Sequence, residues 1–470
     1  MKQKFDWKDF LKRVAVIAIP VALQNLLTTT GSMVDTMMIA SLGETNVAAV
    51  GLCGQFMSLL FSCYWGFVGG GMLFFGQYWG NKDEKGINRS YGMTLTCMMT
   101  MAFIFAILAL FFSPVVMNIY TDKESIQLIG EEYLKVVAFA YPLQVFSMGM
   151  SALLRSTERV RIPLFASIAS VATNIILNWV LIFGHLGAPA MGVRGAALAT
   201  TLAALVNVLV ILFAAAKTKY PYLFQISRHF KWNGEFTRLY FKKCFPIICN
   251  ELLLGIANMV INIVLGHQSE EAIAAVAVFR TIEGLVIGFF AGFSNASSVL
   301  VGKCVGAGEL DIAYERAKRI VYLCQGIIAV VVFSVFAVHT PLLHVMNLSG
   351  ESFEIATVLI IIYGLFCIIR MGNWTMNDTY RSAGDATTGT VLEITFMYVL
   401  VLPCVLLSWL KFDAPFYLIF ALCYIDEPIR YIIMQRHMYS GKWIRPVTPE
   451  GKMKLDDFLA KRKNGVDRVD

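Results

Sequence analysis

The run VAVIAIPVALQNLLTTTGSMVDTMMIA, residues 14–40, holds a single ionisable side chain, Asp35. At 1.5 Å of rise per residue a helix of this length crosses the roughly 30 Å hydrocarbon core of a bilayer. A carboxylate on such a helix costs about 3 kcal/mol facing lipid even on lenient insertion scales, so Asp35 must face protein or water. Similar apolar runs recur near 48–74, 91–117, 130–152, 163–183, 192–216, 244–266, 273–301, 317–341, 353–376, 388–410 and 414–435. The composition agrees: 57% hydrophobic, 13% aromatic and only 15% charged residues, which excludes an ordinary soluble domain. The expected fold is an all-α integral membrane protein of twelve transmembrane helices.

The basic start (Lys2, Lys4, Lys8, Lys12, Arg13) precedes an apolar run too long for the core of a signal peptide, so that run reads as the first span. With a cytoplasmic N-terminus, the inside loops collect Lys82, Lys85 and Arg89, then Arg155, Arg159 and Arg161, the stretch 217–243, and Lys303, Arg316, Lys318 and Arg319. The outside loops hold little beyond Lys123, Arg194 and Lys411. This asymmetry follows the positive-inside rule and predicts both termini in the cytoplasm. It also disperses the net charge of +7 over many short loops, which argues against nucleic-acid binding. The ten cysteines lack CxxC spacing and read as packing residues.

A shift of 226 residues places Pro20 on Pro246, Gln24 on Asn250, Ala48-Ala49-Val50 on Ala274-Ala275-Val276, and Gly66-Phe67 on Gly292-Phe293. It also carries Gly76 and Gly80 onto Gly302 and Gly306, and Arg155-Ser156 onto Arg381-Ser382. One offset persisting from the first span to the fourth predicts two homologous six-helix lobes, residues 1–216 and 243–435. An even number of spans makes them a parallel repeat, an architecture of transporters. Residues 217–242 form the linker, expected as an interfacial helix plus loop, and residues 436–470 a solvated cytoplasmic tail.

Helical spacing sorts the polar residues inside the spans. Gln24, Thr28, Ser32 and Asp35 share one face of the first span, and Glu251, Asn258 and Asn262 one face of the seventh. The fifth adds Ser167, Ser170, Asn174 and Asn178; the tenth adds Arg370, Asn373 and Asn377. For Asn174, Asn178, Asn258 and Asn262 two readings stand, interhelical hydrogen bonding at about 0.6 kcal/mol each or the lining of a cavity. Arg280 and Glu283, three apart, read as a structural ion pair or as cavity lining. Arg370 has Glu393 or Asp378 as potential structural partners, and Glu427 lies near enough to a membrane end to be wet. Asp35 and Glu251 have no basic residue within one helical turn and are the candidate cation-coupling residues. No GxxxxGK[ST] phosphate loop exists, so transport energy is expected from an ion gradient and no enzymatic activity is expected.

Several stretches resemble one family. NIILNWVLIFGHLGAPAMGVRGAALAT (174–200), Pro20 and Gln24 followed by Asp35 and ASLGETNVAAVG (40–51), and YRSAGDAT (380–387) resemble the MATE family of multidrug and toxin extruders. The resemblance implies a bacterial cytoplasmic-membrane transporter that exports organic, often cationic, compounds in antiport with H+ or Na+ by alternating access. It needs no cofactor or protein partner and acts as a monomer. Asp35 matches an essential first-helix aspartate of proton-coupled members, and Glu251 a seventh-helix glutamate used by others. Arg370 stands near the place where some sodium-coupled members carry a further acid, which leaves Glu251, Asn258 and Asn262 as the smaller sodium site. Alternatives are a lipid-linked precursor flippase, for which Arg280 and Arg370 would supply cationic groups, and a channel or receptor-like membrane protein.

Overall fold

The computed structural model describes residues 6–346, 348–412 and 414–463; Lys2 and Lys4 lie outside them, as does the tail beyond residue 463. Among the described residues every regular element is helical. The principal helices are α1 (Trp7–Ala40), α2 (Glu44–Gly80), α3 (Glu84–Phe111), α4 (Glu124–Val137 and Ala140–Ser156), α5 (Arg161–Phe183) and α6 (Val193–Lys217). The second six are α7 (Gly234–Gly266), α8 (Glu270–Gly306), α9 (Leu310–Val345), α10 (Gly350–Ser382), α11 (Thr388–Leu410) and α12 (Phe416–Leu422 and Glu427–Ser440). Among the described residues ten helices are long and apolar enough to cross a bilayer, eleven when the arms of α4, bent by 49°, count as one span. The interrupted α12 fills the twelfth expected position.

The sequence repeat reappears as geometry. Helices α2 and α8 start and stop 226 residues apart, and so do α4 and α10. A tertiary hydrogen bond is duplicated with them: Gln24 Nε2 donates to Ser167 Oγ at 2.9 Å, and Asn250 Nδ2 donates to Glu393 Oε2 at 3.0 Å. Both members of the second pair are the 226-residue counterparts of the first.

The chain forms two compact units, one of residues 1–22, 76–82 and 245–470, the other of residues 23–75 and 83–244. In the first, the end of α2 crosses α8 where Gly80 meets the Lys303 carbonyl and Gly306 meets the Gln77 carbonyl, with no room for a side chain at either. Gly80 and Gly306 are themselves repeat partners.

One expectation needs correction. The tail is packed, not solvated, over part of 443–458: Trp443, Ile444 and Phe458 are buried with Tyr314, Tyr380 and Met434, because an apolar residue recurs often enough in that stretch to close the core. Ile444 bridges Gly384, Val447 N donates to Gln77 Oε1 at 2.7 Å, and Thr448 Oγ1 donates to the Gly306 carbonyl at 2.8 Å. The linker makes a 3-10 turn at Pro221–Leu223 and a short helix at Ile226–His229, docked within the second unit, where Gln225 accepts from Asn88 Nδ2 at 2.8 Å and the His229 ring meets Tyr91 edge-on.

Candidate functional site

The polar stripe of α1 lines a cavity of about 720 Å³ within the unit of residues 23–75 and 83–244. Gln24, Thr28, Ser32, Asp35 and Asn174 all face it. Buried Asn178 donates to Asp35 Oδ1 at 2.6 Å and to Asn174 Oδ1 at 3.2 Å, and Asn174 reaches Thr200 Oγ1 at 3.5 Å. Asp35 is half-buried, and none of the ion pairs among the described residues includes it. A carboxylate held by amide donors alone keeps unspent charge for a proton, a metal cation or an organic cation. Thr28 instead bonds back to the Asn25 carbonyl of its own helix at 2.9 Å. The lining also includes Phe61, Tyr64 and Trp65, the last two stacked at 5.3 Å, with Met57 and Met148, surfaces suited to a flat apolar or cationic body.

A second cavity of about 270 Å³ lies within the other unit and is densely charged. Glu251 accepts from Arg381 at 3.1 Å, Glu283 bridges Arg280 and Arg370 at 2.7 Å each, and Arg430 contacts Glu393, Asp426 and Glu427 at 3.4, 3.1 and 2.9 Å. Asn373 donates to Glu427 at 2.7 Å and Asn377 to Glu393 at 3.2 Å. The break in α12 opens here: its second arm starts at Glu427 beside Asp426, so a helix N-terminus points at the cluster. Wide π-helical turns interrupt α11 at Met397–Val401, and Met397 lines the same space.

The structure thus sorts the expected residues. Asp35 and Glu251 occupy separate cavities in separate units. Glu251, without a basic neighbour on its own helix, is paired across to α10, a contact helical spacing cannot reveal. Arg280 and Glu283 do form the expected pair, but Arg370 joins them through Glu283 and approaches Glu427 at 3.8 Å instead of Glu393 or Asp378. Glu427 is buried, not wet. The trio Glu251, Asn258 and Asn262 does not close on one ion, since eleven residues of uninterrupted helix separate its ends by about 16 Å and Asn262 accepts from Arg280 at 3.4 Å. Among the described residues no group of three His, Cys, Asp or Glu side chains is placed to hold a metal ion. Helical spacing did not single out Asp426, Arg430 or Arg381, and Arg155, counted above with an inside loop, is buried and lines the first cavity. The alignment of Arg155 with Arg381 was the available signal for these two arginines.

The MatE family model matches the chain twice, over residues 20–180 and 246–407, so the second match begins at the same 226-residue offset. Two curated relatives are the "Probable multidrug resistance protein YoeA" of Bacillus subtilis, 24% identical over 85% of this chain and 87% of that one, and the "Probable multidrug resistance protein NorM" of Thermotoga maritima, 24% identical over 85% and 86%. A crystal structure described as MATE in complex with MaL6 shares the fold with a TM-score of 0.83 at 17% identity, covering 92% of this chain and 97% of that one. With two thirds of its length matched by the family model in two successive copies, this chain is a multi-pass membrane protein that belongs to the MatE family of transporters.

Proposed function

We propose that the protein exports organic, largely cationic, compounds in antiport with H+ or Na+ through alternating access, with both termini in the cytoplasm of a bacterial cell. The halves 1–216 and 243–435 act as the two lobes, joined by the linker 217–242 and followed by the tail 436–470. The observation that carries this reading is Asp35, a half-buried carboxylate in an aromatic-walled cavity, held by Asn178 and without a basic partner among the described residues. Ionised, it attracts a cationic cargo; neutralised by a proton or a sodium ion, it loses that attraction, which couples the two by competition. Glu251 acts differently, because a coupling ion there competes with the tethered Arg381 guanidinium.

Proteoliposomes loaded with a fluorescent organic cation, under independently imposed pH and sodium gradients, test the proposal. Wild-type protein is expected to drive export with one gradient, and Asp35→Asn to lower the rate at least tenfold while still reaching the membrane. Undiminished export by that variant would sink the role assigned to Asp35. Arg280 and Arg370, the cationic groups on which the flippase alternative rested, are both engaged by Glu283.

A further inference from the structure

The cavity that contains Asp35 also contains Arg155, and the two halves of the chain explain why this arginine is unusual. Its 226-residue counterpart, Arg381, lines the second cavity together with Glu251, Asp378 and Glu393, and is paired with Glu251 at 3.1 Å. At the equivalent positions around Arg155 the chain carries Asn25, Ala152 and Ser167, all neutral. Each carboxylate that surrounds the arginine in one half is therefore missing in the other, while the arginine has been kept.

Arg155 is only 4% exposed, and among the described residues its side chain makes one hydrogen bond, from Nε to the Ser151 carbonyl at 3.3 Å. None of the ion pairs among the described residues includes it, and its side chain lines the 720 Å³ cavity. A buried guanidinium without a carboxylate is costly unless a partner neutralises it. Its planar fork of donors matches a carboxylate or another oxyanion.

Two buried polar atoms without a partner among the described residues, Tyr141 Oη and Gln144 Oε1, belong to side chains of α4 that line the same cavity. The helix runs roughly 20 Å from Tyr141 to Arg155. Tyr133, on the other arm of α4, packs with Ile39 near the Asp35 end of α1. Asp35 and Arg155 thus stand toward opposite ends of one cavity, whose lining also includes Tyr64, Trp65 and Met148, and they are its only charged lining residues among those described.

We propose that Arg155 is an anion subsite of this cavity, a specificity-determining residue that receives a carboxylate or other oxyanion borne by the cargo. This rests on the export reading above and deepens it. The oxyanion is held at Arg155, so the charge that α4 leaves uncompensated is completed by the cargo.

A carboxylate-bearing rhodamine and its methyl ester, which differ in that one charge, test the proposal. Binding is read from quenching of tryptophan fluorescence in the purified full-length protein, and export from proteoliposomes. In the wild type the acid is expected to bind at least as well as the ester. In Arg155→Gln the acid-to-ester affinity ratio falls at least tenfold, the loss expected for a charge-assisted hydrogen-bond pair, and Arg155→Lys recovers part of it. Asn25→Glu, which rebuilds the ion pair of the other half, is expected to lower the same ratio with the arginine still present. An unchanged ratio in Arg155→Gln and Asn25→Glu overturns the subsite alone. Wild-type protein that neither binds nor exports either compound overturns the export reading itself.

Discussion

At the scale of single residues, two carboxylates that look alike in sequence have opposite surroundings. Asp35 is held by one amide at 2.6 Å, and Glu251 by a guanidinium at 3.1 Å. Removing the Asn178 amide takes away the donor that fixes Asp35, so Asn178→Ala is expected to lower export of a fluorescent cation roughly tenfold, with loss of about 1.5 kcal/mol of charged hydrogen bonding. Equal transport rates in wild type and variant would contradict that assignment. For Glu251 the test is a cycle. Glu251→Gln strands Arg381 in a buried site and is expected to cost about 3 kcal/mol, while Glu251→Gln combined with Arg381→Gln recovers much of the loss. Thermal midpoints of the detergent-solubilised variants decide it, and additive losses would show that the two side chains do not act as a pair.

At the scale of helices, the important features are places where the chain departs from a uniform apolar rod. Gly80 and Gly306 each face a backbone carbonyl of the crossing helix, and a backbone cannot move aside as a flexible side chain can. Gly306→Ala is therefore expected to destabilise the protein by about 1–3 kcal/mol, as other overpacked sites do. Gly326, on α9, has open space around the position a side chain would take, so Gly326→Ala is expected to be neutral or to stabilise by up to about 1 kcal/mol. Melting of both variants followed by size-exclusion chromatography checks the contrast; similar behaviour would refute the close crossing. The interruption of α12 at residues 423–426 and the wide turns at Met397–Val401 are departures of another kind. The first frees backbone and the charges of Asp426 and Glu427 to face a cavity, and Met397 of the second lines the same cavity.

At the scale of the molecule, the C-terminal tail belongs to the fold of its unit. Ending the chain at Ser440 removes Trp443, Ile444 and Phe458 from their core, each worth about 1.5–3 kcal/mol when fully buried. A clear fall in the thermal midpoint of that unit is expected, and an unchanged midpoint would show the tail to be an ornament. The tail is also clamped electrostatically: Asp385 receives His437 at 2.8 Å and Arg445 at 3.0 Å. Burial works against the Asp385 carboxylate, yet hydrogen bonds from His437 and Thr388 and the Arg445 charge hold its pKa down to about 2. A depressed pKa stabilises the fold above the ordinary carboxylate value and loses that stabilisation as pH falls toward 2, a contribution of about 2 kcal/mol. Asp385→Asn is accordingly expected to lower the midpoint at pH 7 and to flatten its decline between about pH 4 and pH 2.

The sequence alone determined the membrane-spanning helices, their number and the duplication, because apolar length and a fixed offset are properties of the chain read in order. It also placed Asp35 on a polar face, since helical spacing puts Gln24, Thr28, Ser32 and Asp35 on one side. Partners across helices were decided by tertiary structure. Arg381 beside Glu251, Arg370 beside Glu283 and Asn178 beside Asp35 are 130, 87 and 143 residues apart, and no local pattern encodes such separations. The fate of the tail was hidden for the same reason. Its few apolar residues look solvated until Tyr314, Tyr380 and Met434, brought together by three helices, offer them a core.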